Sequence, residues 1–460
     1  MTDTAFSRLA LSDALRSNLD SLGYTAMTPI QQQSLPHVLA GRDLIARAKT
    51  GSGKTAAFGL GVLEQLSLKD FACQSLILCP TRELASQVAS EMRRLARPLP
   101  NVKILTLCGG TPIGPQIGSL EHGAHVVVGT PGRIEDHLRK GTLSLERLKV
   151  LVLDEADRML DMGFYDTIEG IIRQTPPKRQ TLLFSATYPE GIRSLSARFQ
   201  SNPLEVSVES NQSQSHIRQL FFAVSRPKHK AETLLKILGK HKPYSCLIFA
   251  RTKQGCAELA EMLQGHGHSA IALHGDLDQK QRDLVLVRFS NRSARILVAT
   301  DVAARGLDID DLQAVINYDL PGDTDIYVHR VGRTGRAGKG GLAISLLTEA
   351  EMHRFEELGH FLDQTLTLTP VQSLPADPPG GSKPDMVTLM LDAGKKNKLR
   401  PGDILGALTG EAGIPGKQVG KIDIFDFSAY VAVERQCAKE ALRQLQAGRI
   451  KGRSIRVRRL

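Results

Sequence analysis

Between residues 1 and 208, short runs of Val, Ile and Leu alternate with longer stretches of helical pattern. The apolar runs include Ser75-Leu-Ile-Leu-Cys79, His125-Val-Val-Val-Gly129, Val150-Leu-Val-Leu153 and Gln180-Thr-Leu-Leu-Phe184. Nearly continuous apolar strands separated by helices are the pattern of a parallel sheet covered on both faces, because each parallel pair needs a crossover. The rhythm breaks at the polar joint Ser210-Asn-Gln-Ser213 and then restarts. Cys246-Leu-Ile-Phe249, Ala270-Ile-Ala-Leu273, Arg295-Ile-Leu-Val-Ala299 and Ala314-Val-Ile-Asn317 are its next strands. The chain therefore reads as two tandem parallel-sheet α/β domains, over 1–208 and 214–368. Residues 369–384 contain Pro375-Ala-Asp-Pro-Pro-Gly-Gly-Ser-Lys-Pro384 and read as an extended, flexible linker. Residues 385–460 make a small third domain.

Charge narrows the partner. The net charge is +11, and the last 77 residues carry fifteen Lys/Arg against eight Asp/Glu. That asymmetry favours an anionic polymer. No apolar run reaches the roughly 18 to 20 residues of a membrane helix. Met1 to Arg16 is polar and mixed in charge, unlike a signal peptide, so a cytoplasmic location is expected. The six cysteines are scattered without a C-x-x-C pair and read as reduced, mostly buried thiols.

Leu44-Ile-Ala-Arg47 leads into Ala48-Lys49-Thr50-Gly51-Ser52-Gly53-Lys54-Thr55 and then a helix-prone stretch. Glycines in such a loop let backbone N–H groups point at phosphate oxygens, and the helix start favours negative charge. Lys54 is placed to reach the β- and γ-phosphates of ATP, and Thr55 to ligate Mg²⁺ through its hydroxyl. Ala48 stands where such a loop usually has its first Gly. The strand Val150–Leu153 ends in Asp154-Glu155-Ala156-Asp157. Carboxylates there lie where open α/β sheets bind ligands. Beside a phosphate loop, Asp154 belongs to the Mg²⁺ shell, partly through water, and Glu155 to the attacking water.

Together these motifs resemble the DEAD-box RNA helicases, and the resemblance runs through both α/β domains in order. It implies two RecA-like domains, with ATP and Mg²⁺ as cofactors. Gly23-Tyr-Thr-Ala-Met-Thr-Pro-Ile-Gln31 resembles the family's adenine-reading segment. There Gln31 is expected to bond the adenine edge through its amide, with Phe6 or Tyr24 stacked on the base. Ser185-Ala-Thr187 matches the family's coupling motif, and its hydroxyls are expected to bond the acidic loop at Asp157. In His329-Arg-Val-Gly-Arg-Thr-Gly-Arg336, the resemblance makes Arg333 and Arg336 the arginine fingers, with His329 in coupling. Forked, always-charged guanidinium groups suit phosphate. Asp308 is expected at the ribose.

The family's RNA contacts fall on matching pieces. In the first domain these are Pro80, Thr81 and Arg82, Gly109 and Gly110, and Thr130 and Arg133. In the second they are Arg251, His274-Gly275, Gln279 to Arg282, and Thr300-Asp301. Hydroxyls, guanidinium groups and Gly amides position phosphates and sugars without reading sequence.

The third domain reads as strand, helix, strand, strand, helix, strand, a ferredoxin-like βαββαβ order shared by RNA-recognition (RRM-like) modules. Its Asp426-Phe-Ser-Ala-Tyr-Val-Ala-Val433 strand keeps only Tyr430 at a stacking position. The sheet is therefore expected to be a poor base-stacking platform. Binding is expected through basic edges and loops: Lys395, Lys396, Lys398 and Arg400, then Arg449, Lys451, Arg453 and Arg456 with the adjoining arginines. A helicase core with this tail is similar to the bacterial DbpA family. That resemblance implies targeting to a hairpin of 23S rRNA and action in large (50S) subunit assembly. A second reading is an ATP-gated RNA clamp that seldom separates strands, with a tail that docks protein.

Overall fold

The apolar runs form the expected strands because each is buried on both faces. The computed structural model describes residues 4–48, 51–188, 190–208, 217–304, 309, 311–335, 340–376, 380–381, 383–410 and 413–460. Lys49, Thr50, Asp308 and Arg336 of the expected site lie outside them.

The first domain holds β1 (Leu44–Arg47), β2 (Ser75–Leu78), β3 (Ile104–Leu107), β4 (Val126–Gly129), β5 (Val150–Asp154), β6 (Gln180–Ser185) and β7 (Leu204–Ser207). They pair in the order β3-β4-β2-β5-β6-β1-β7, parallel throughout. Alternate residues face two cores. Ile77, Val152 and Phe184 point to one, and Leu76, Leu153 and Leu183 to the other. Phe58 lies edge-on to Phe184, with ring centroids 5.2 Å apart, and seats the helix Lys54–Glu64 on the sheet.

The second domain repeats the plan with β8 (Ile217–Val224), β9 (Cys246–Phe249), β10 (Ala270–Leu273), β11 (Ile296–Ala299), β12 (Ala314–Asn317) and β13 (Gly341–Thr348). Their order is β10-β11-β9-β12-β13-β8, again parallel. β8 is an edge strand that pairs with β13 over its whole length. Half-exposed edge strands such as β8 lack the continuous apolar run that marks an interior strand.

The third domain is the βαββαβ unit, with β14 (Met386–Leu391), β15 (Val419–Ile424), β16 (Ala429–Glu434) and β17 (Val457–Arg459). The antiparallel order is β15-β16-β14-β17. Val387, Leu389, Leu391, Val431 and Val433 face the helices Pro401–Thr409 and Ala438–Ala447 across one core. The other face of the sheet is covered as well. Thr388 has no exposed surface; its Oγ1 is 2.7 Å from Ser293 Oγ and 3.3 Å from Asn291 Nδ2. Lys421 Nζ donates to Ser290 Oγ at 3.1 Å. This face therefore packs on the end of the helix Gln279–Ser290 of the second domain. Tyr430, the one aromatic at a stacking position of the sheet, is 7% exposed and edge-on to Phe425, in keeping with the expectation of a poor base-stacking platform.

The segment expected as a linker makes backbone contacts with the second domain where it is described. Thr369 N–H donates to the Phe221 carbonyl at 2.7 Å, and Lys240 Nζ donates to the Ser373 carbonyl at 2.8 Å. Leu374 is buried, and Gly381 N–H donates to the His266 carbonyl at 3.1 Å. A Cβ at Gly381 would meet His268 N at 2.3 Å, so only Gly allows that approach. Gly381 here serves a close backbone fit.

Thr388→Lys places a charge in the covered face and is expected to release the third domain from the second. Limited proteolysis should then cut within 369–384 faster than in the parent, with circular dichroism unchanged. Equal cutting rates would show that the face does not hold the domain.

Candidate nucleotide and RNA site

In a parallel sheet every strand ends on the same edge, and the loops at the carboxyl ends gather there. β5, β6 and β1 are neighbours, so the acidic turn, the Ser-Ala-Thr turn and the phosphate loop meet. Gly51 and Gly53 have φ of 80° and 91°, a region that favours glycine. The helix Lys54–Glu64 has no side-chain cap at its start. Lys54 is buried, and its Nζ donates to the Ala48 carbonyl at 3.0 Å. Ala48 N–H in turn donates to the Ser185 carbonyl at 3.0 Å. Thr55 follows Lys54 on the first turn of that helix.

Asp154 is 3% exposed, and its Oδ1 has no hydrogen-bond partner among the described residues. Burial pushes its carboxyl up to about 6; Glu155 and Asp157 push the same way, and Lys54 opposes them. The Ser52 hydroxyl is likewise buried without a partner. No group of three His, Cys, Asp or Glu among the described residues could hold a metal by itself. A cation here would take Asp154 and Thr55 and share its remaining ligands with water and phosphate, the usual habit of Mg²⁺. The orphaned oxygen and the uncapped helix start fit that cation and a polyphosphate.

Glu155 adopts a left-handed φ of 54°, and Arg158 Nη1 donates to its Oε2 at 2.6 Å. Asp157 Oδ2 accepts from Ala186 N, Thr187 N and Thr187 Oγ1 at 3.1, 2.9 and 2.9 Å. Ser185 Oγ accepts from Asp157 N at 3.3 Å and donates to the Thr187 carbonyl at 2.6 Å. Both hydroxyls of the coupling motif thus reach the acidic loop or its own turn.

Gln31 is buried and uses both ends of its amide. Oε1 accepts from Thr28 N at 2.9 Å, and Nε2 donates to the Gly53 carbonyl at 3.0 Å. A primary amide has two donors and two lone pairs, so one of each remains for a base edge. Thr28 Oγ1 donates to the Ser52 carbonyl at 2.8 Å, a second tie to the phosphate loop. Phe6 is 5% exposed and edge-on to Tyr24 at 6.0 Å. The Tyr24 hydroxyl donates to Glu91 at 2.6 Å, and burial and that carboxylate push its pKa up.

The other half of the sheet edge carries the expected RNA contacts, because β3, β4 and β2 are neighbours. Thr81 caps the helix Arg82–Leu95 through its hydroxyl, and Pro80 precedes it. The Arg82 guanidinium lies over Gly109 and Gly110; a Cβ on Gly110 would fall 1.5 Å from its Nη1, and Gly110 has φ of 75°. Thr130 precedes the helix Pro131–Arg139, and Arg133 Nη2 donates to the Thr111 carbonyl at 3.0 Å. Behind them His137 meets Thr142 and Gln116 at 2.8 and 3.2 Å, and burial lowers its pKa.

In the second domain the loops after β9, β10 and β11 carry Arg251, Gly275 and Thr300. Arg251 N donates to Asp319 Oδ2 at 2.9 Å. Lys253 packs 3.3 Å from where a Gly275 Cβ would lie. Arg282 Nη2 donates to the Ala303 carbonyl at 3.4 Å, and Thr300 Oγ1 accepts from Ala303 N at 3.4 Å. Arg330, given no role from the sequence, is the hub. It forks onto both Asp301 oxygens at 2.7 Å, donates to Asn317 and the Asp319 carbonyl, and covers the Phe249 ring at 4.6 Å. Lys230 was also missed; it is buried between Asp319 and Glu351 at 3.3 and 3.0 Å. His329 is half-buried on the helix Thr324–Val331, and Arg333 is buried just beyond its end.

Three family models match in order: a DEAD/DEAH box helicase over 28–195, a helicase conserved C-terminal domain over 229–338, and a DbpA RNA binding domain over 388–459. The chain is 52% identical to "ATP-dependent RNA helicase DbpA" of Escherichia coli over 99% of both chains. The chain is a DEAD-box RNA helicase. It is also 44% identical to the CshA helicase of Geobacillus kaustophilus, over 77% of this chain and 76% of that one. Among solved structures it resembles yeast Dbp5 bound to RNA and ADP BeF3, with a TM-score of 0.73 and 31% identity over 80% of this chain and 96% of that one. The helicase therefore uses ATP, and its third domain binds RNA. In that domain Lys395, Lys396, Lys398, Arg400, Arg449, Lys451 and Arg453 are exposed, and Arg456 follows on the same end of the chain.

Asp154 gives a pH signature. A carboxyl raised above its unfolded value of ~3.9 adds stability below that pH, and the gain is lost as pH rises through about 6. Asp154→Asn cannot ionise. Without nucleotide it should be more stable to unfolding than the parent above pH 7, by on the order of 1–3 kcal/mol, with the gap closing toward pH 4. A pH-independent gap would refute a buried ionised Asp154. At the RNA edge, Gly110→Ala must displace Arg82 and should weaken RNA binding by about 10-fold in fluorescence anisotropy.

Proposed function

We propose that this helicase is an RNA-dependent ATPase that separates short RNA duplexes locally. The buried Asp154 Oδ1, without a partner among the described residues and beside Lys54 and Glu155, carries the reading. Lys54 and the loop Ala48–Thr55, with its Lys49, Thr50, Gly51, Ser52 and Gly53, hold the phosphates. Thr55 and Asp154 would hold Mg²⁺, partly through water, and the ion would supply charge neutralisation at the phosphates. Glu155 orients and deprotonates the attacking water; the Arg158 contact holds its carboxylate in place. Gln31 reads adenine with its remaining donor and lone pair, Phe6 or Tyr24 lies near the base, and Asp308 meets the ribose. Arg333 and Arg336 neutralise charge on the transferred phosphoryl once ATP and RNA bring the domains together. The Asp157–Thr187 bonds and His329 couple that event to the RNA edge.

The RNA strand is held by Pro80, Thr81, Arg82, Gly109, Gly110, Thr130 and Arg133 on one domain. On the other it is held by Arg251, Gly275, Arg282 and Thr300. The third domain addresses the enzyme to a 23S rRNA hairpin during large-subunit assembly in the cytoplasm. Its match to the DbpA type and its exposed basic loops support this.

Glu155→Gln should keep ATP and RNA binding and lose about 10²–10⁴-fold in RNA-stimulated ATPase. An unchanged rate would end the assignment of Glu155. Crosslinking to total cellular RNA should give one dominant site in 23S rRNA; a uniform spread would refute the address. Unwinding of a short duplex beside that hairpin separates a helicase cycle from an ATP-gated clamp, which would bind without releasing strands.

A further inference from the structure

Phe427 is 72% exposed, the most exposed large apolar side chain among the described residues. It sits at the tip of the tight turn between β15 and β16, closed by Phe425 N donating to the Ser428 carbonyl at 2.8 Å. The base of the turn is rigid, because Phe425 packs edge-on against the buried Tyr430 at 5.5 Å. So one phenylalanine anchors the turn and the other contributes nothing to the core. A rigid turn that holds an aromatic ring out into water offers a flat stacking surface at little ordering cost.

Its surroundings name the ligand. The short turn Lys395–Asn397 lies directly against this hairpin. Lys395 N donates to the Phe425 carbonyl at 2.8 Å, and Lys396 N to the Asp426 carbonyl at 2.9 Å. A Cβ at Gly394 would fall 2.2 Å from the Phe425 carbonyl oxygen, so glycine is what admits the contact. Lys398, with φ of 60°, turns the chain, and its carbonyl accepts from Lys451 Nζ at 2.7 Å. Two basic segments more than fifty residues apart in the chain are thereby joined beside one exposed ring. Asp426 is exposed on the same turn and opposes phosphate there, so phosphates seat on the lysine side.

We propose that Phe427 stacks on an unpaired nucleobase of the bound RNA while Lys395, Lys396 and Lys398 hold the phosphates beside it. The inference rests on the third domain binding RNA. It moves base recognition from the sheet, whose outer face is covered, to the hairpin tip.

The test uses the full chain and protein-free 23S rRNA, with an unrelated structured RNA of equal length as the second probe, titrated over a salt series. Phe427→Ala should bind about 5- to 100-fold more weakly, with an unchanged salt slope, because a neutral stacking contact releases no counterions. Phe427→Tyr should restore binding to within about 3-fold, since the ring is kept. The combined Lys395→Ala, Lys396→Ala, Lys398→Ala variant should flatten the slope by about 2 to 3. Unchanged affinity in Phe427→Ala, or equal loss in Phe427→Tyr, overturns the stacking role and assigns the exposed ring to a protein contact. The expected ranking without any preference for 23S rRNA supports stacking and overturns only the rRNA address.

Discussion

The carboxylate of Asp157 ties the acidic turn after β5 to the Ser185–Thr187 turn after β6, and the working edge of the first domain depends on that tie. One oxygen accepts from Ala186 N, Thr187 N and Thr187 Oγ1; the other accepts from Arg158 N. A carboxylate satisfied by that many donors inside a protein holds its partners in one geometry. The tie fixes the left-handed Glu155 and the Arg158 that grips it. Beside it, Asp154 Oδ1 has no hydrogen-bond partner among the described residues. Stability is given up at Asp154 and recovered at Asp157, three positions on in the same turn.

The second domain solves a similar problem with a cation. Arg330 binds Asp301, Asn317 and the Asp319 carbonyl, and so joins the ends of β11 and β12 under the helix that carries His329. A buried guanidinium paired in this way specifies one arrangement of the two strand ends, and removal of a partner would strand a charge. Arg251 N, on the adjoining loop, bonds the side chain of Asp319, whose carbonyl Arg330 holds.

The motifs were readable because phosphate and metal chemistry demand particular residue types at short spacings. Lys54, Asp154, Glu155 and Ser185–Thr187 stand on one sheet edge, where the strand runs placed them. Interior strands were readable for a related reason, since burial on both faces writes an unbroken apolar run. The edge strand β8 was not, because half of its residues meet solvent or a helix of different pattern. Arg330 and Lys230 were silent as well. A buried cation is recognised by partners such as Asp319 and Glu351, which come from distant segments. What the third domain's sheet face and the Pro/Gly segment pack against was not readable, because composition cannot say what a surface is packed against. Thr388 beside Asn291 and Ser293 covers the sheet face, and Gly381 docks on His266.

By itself the sequence determined two α/β domains and a basic βαββαβ tail. It also determined a phosphate loop paired with an acidic strand end, because local periodicity and short-range chemistry are carried by neighbours in the chain. Only the tertiary structure decided which oxygen lacks a partner, which arginine organises the second domain, and which face of the third domain is covered. It also decided that the Lys395–Asn397 turn lies against the hairpin that exposes Phe427, and that Lys451 reaches the Lys398 carbonyl. Each of these is a contact between residues far apart in the chain, and burial and hydrogen-bond satisfaction are properties of such contacts alone.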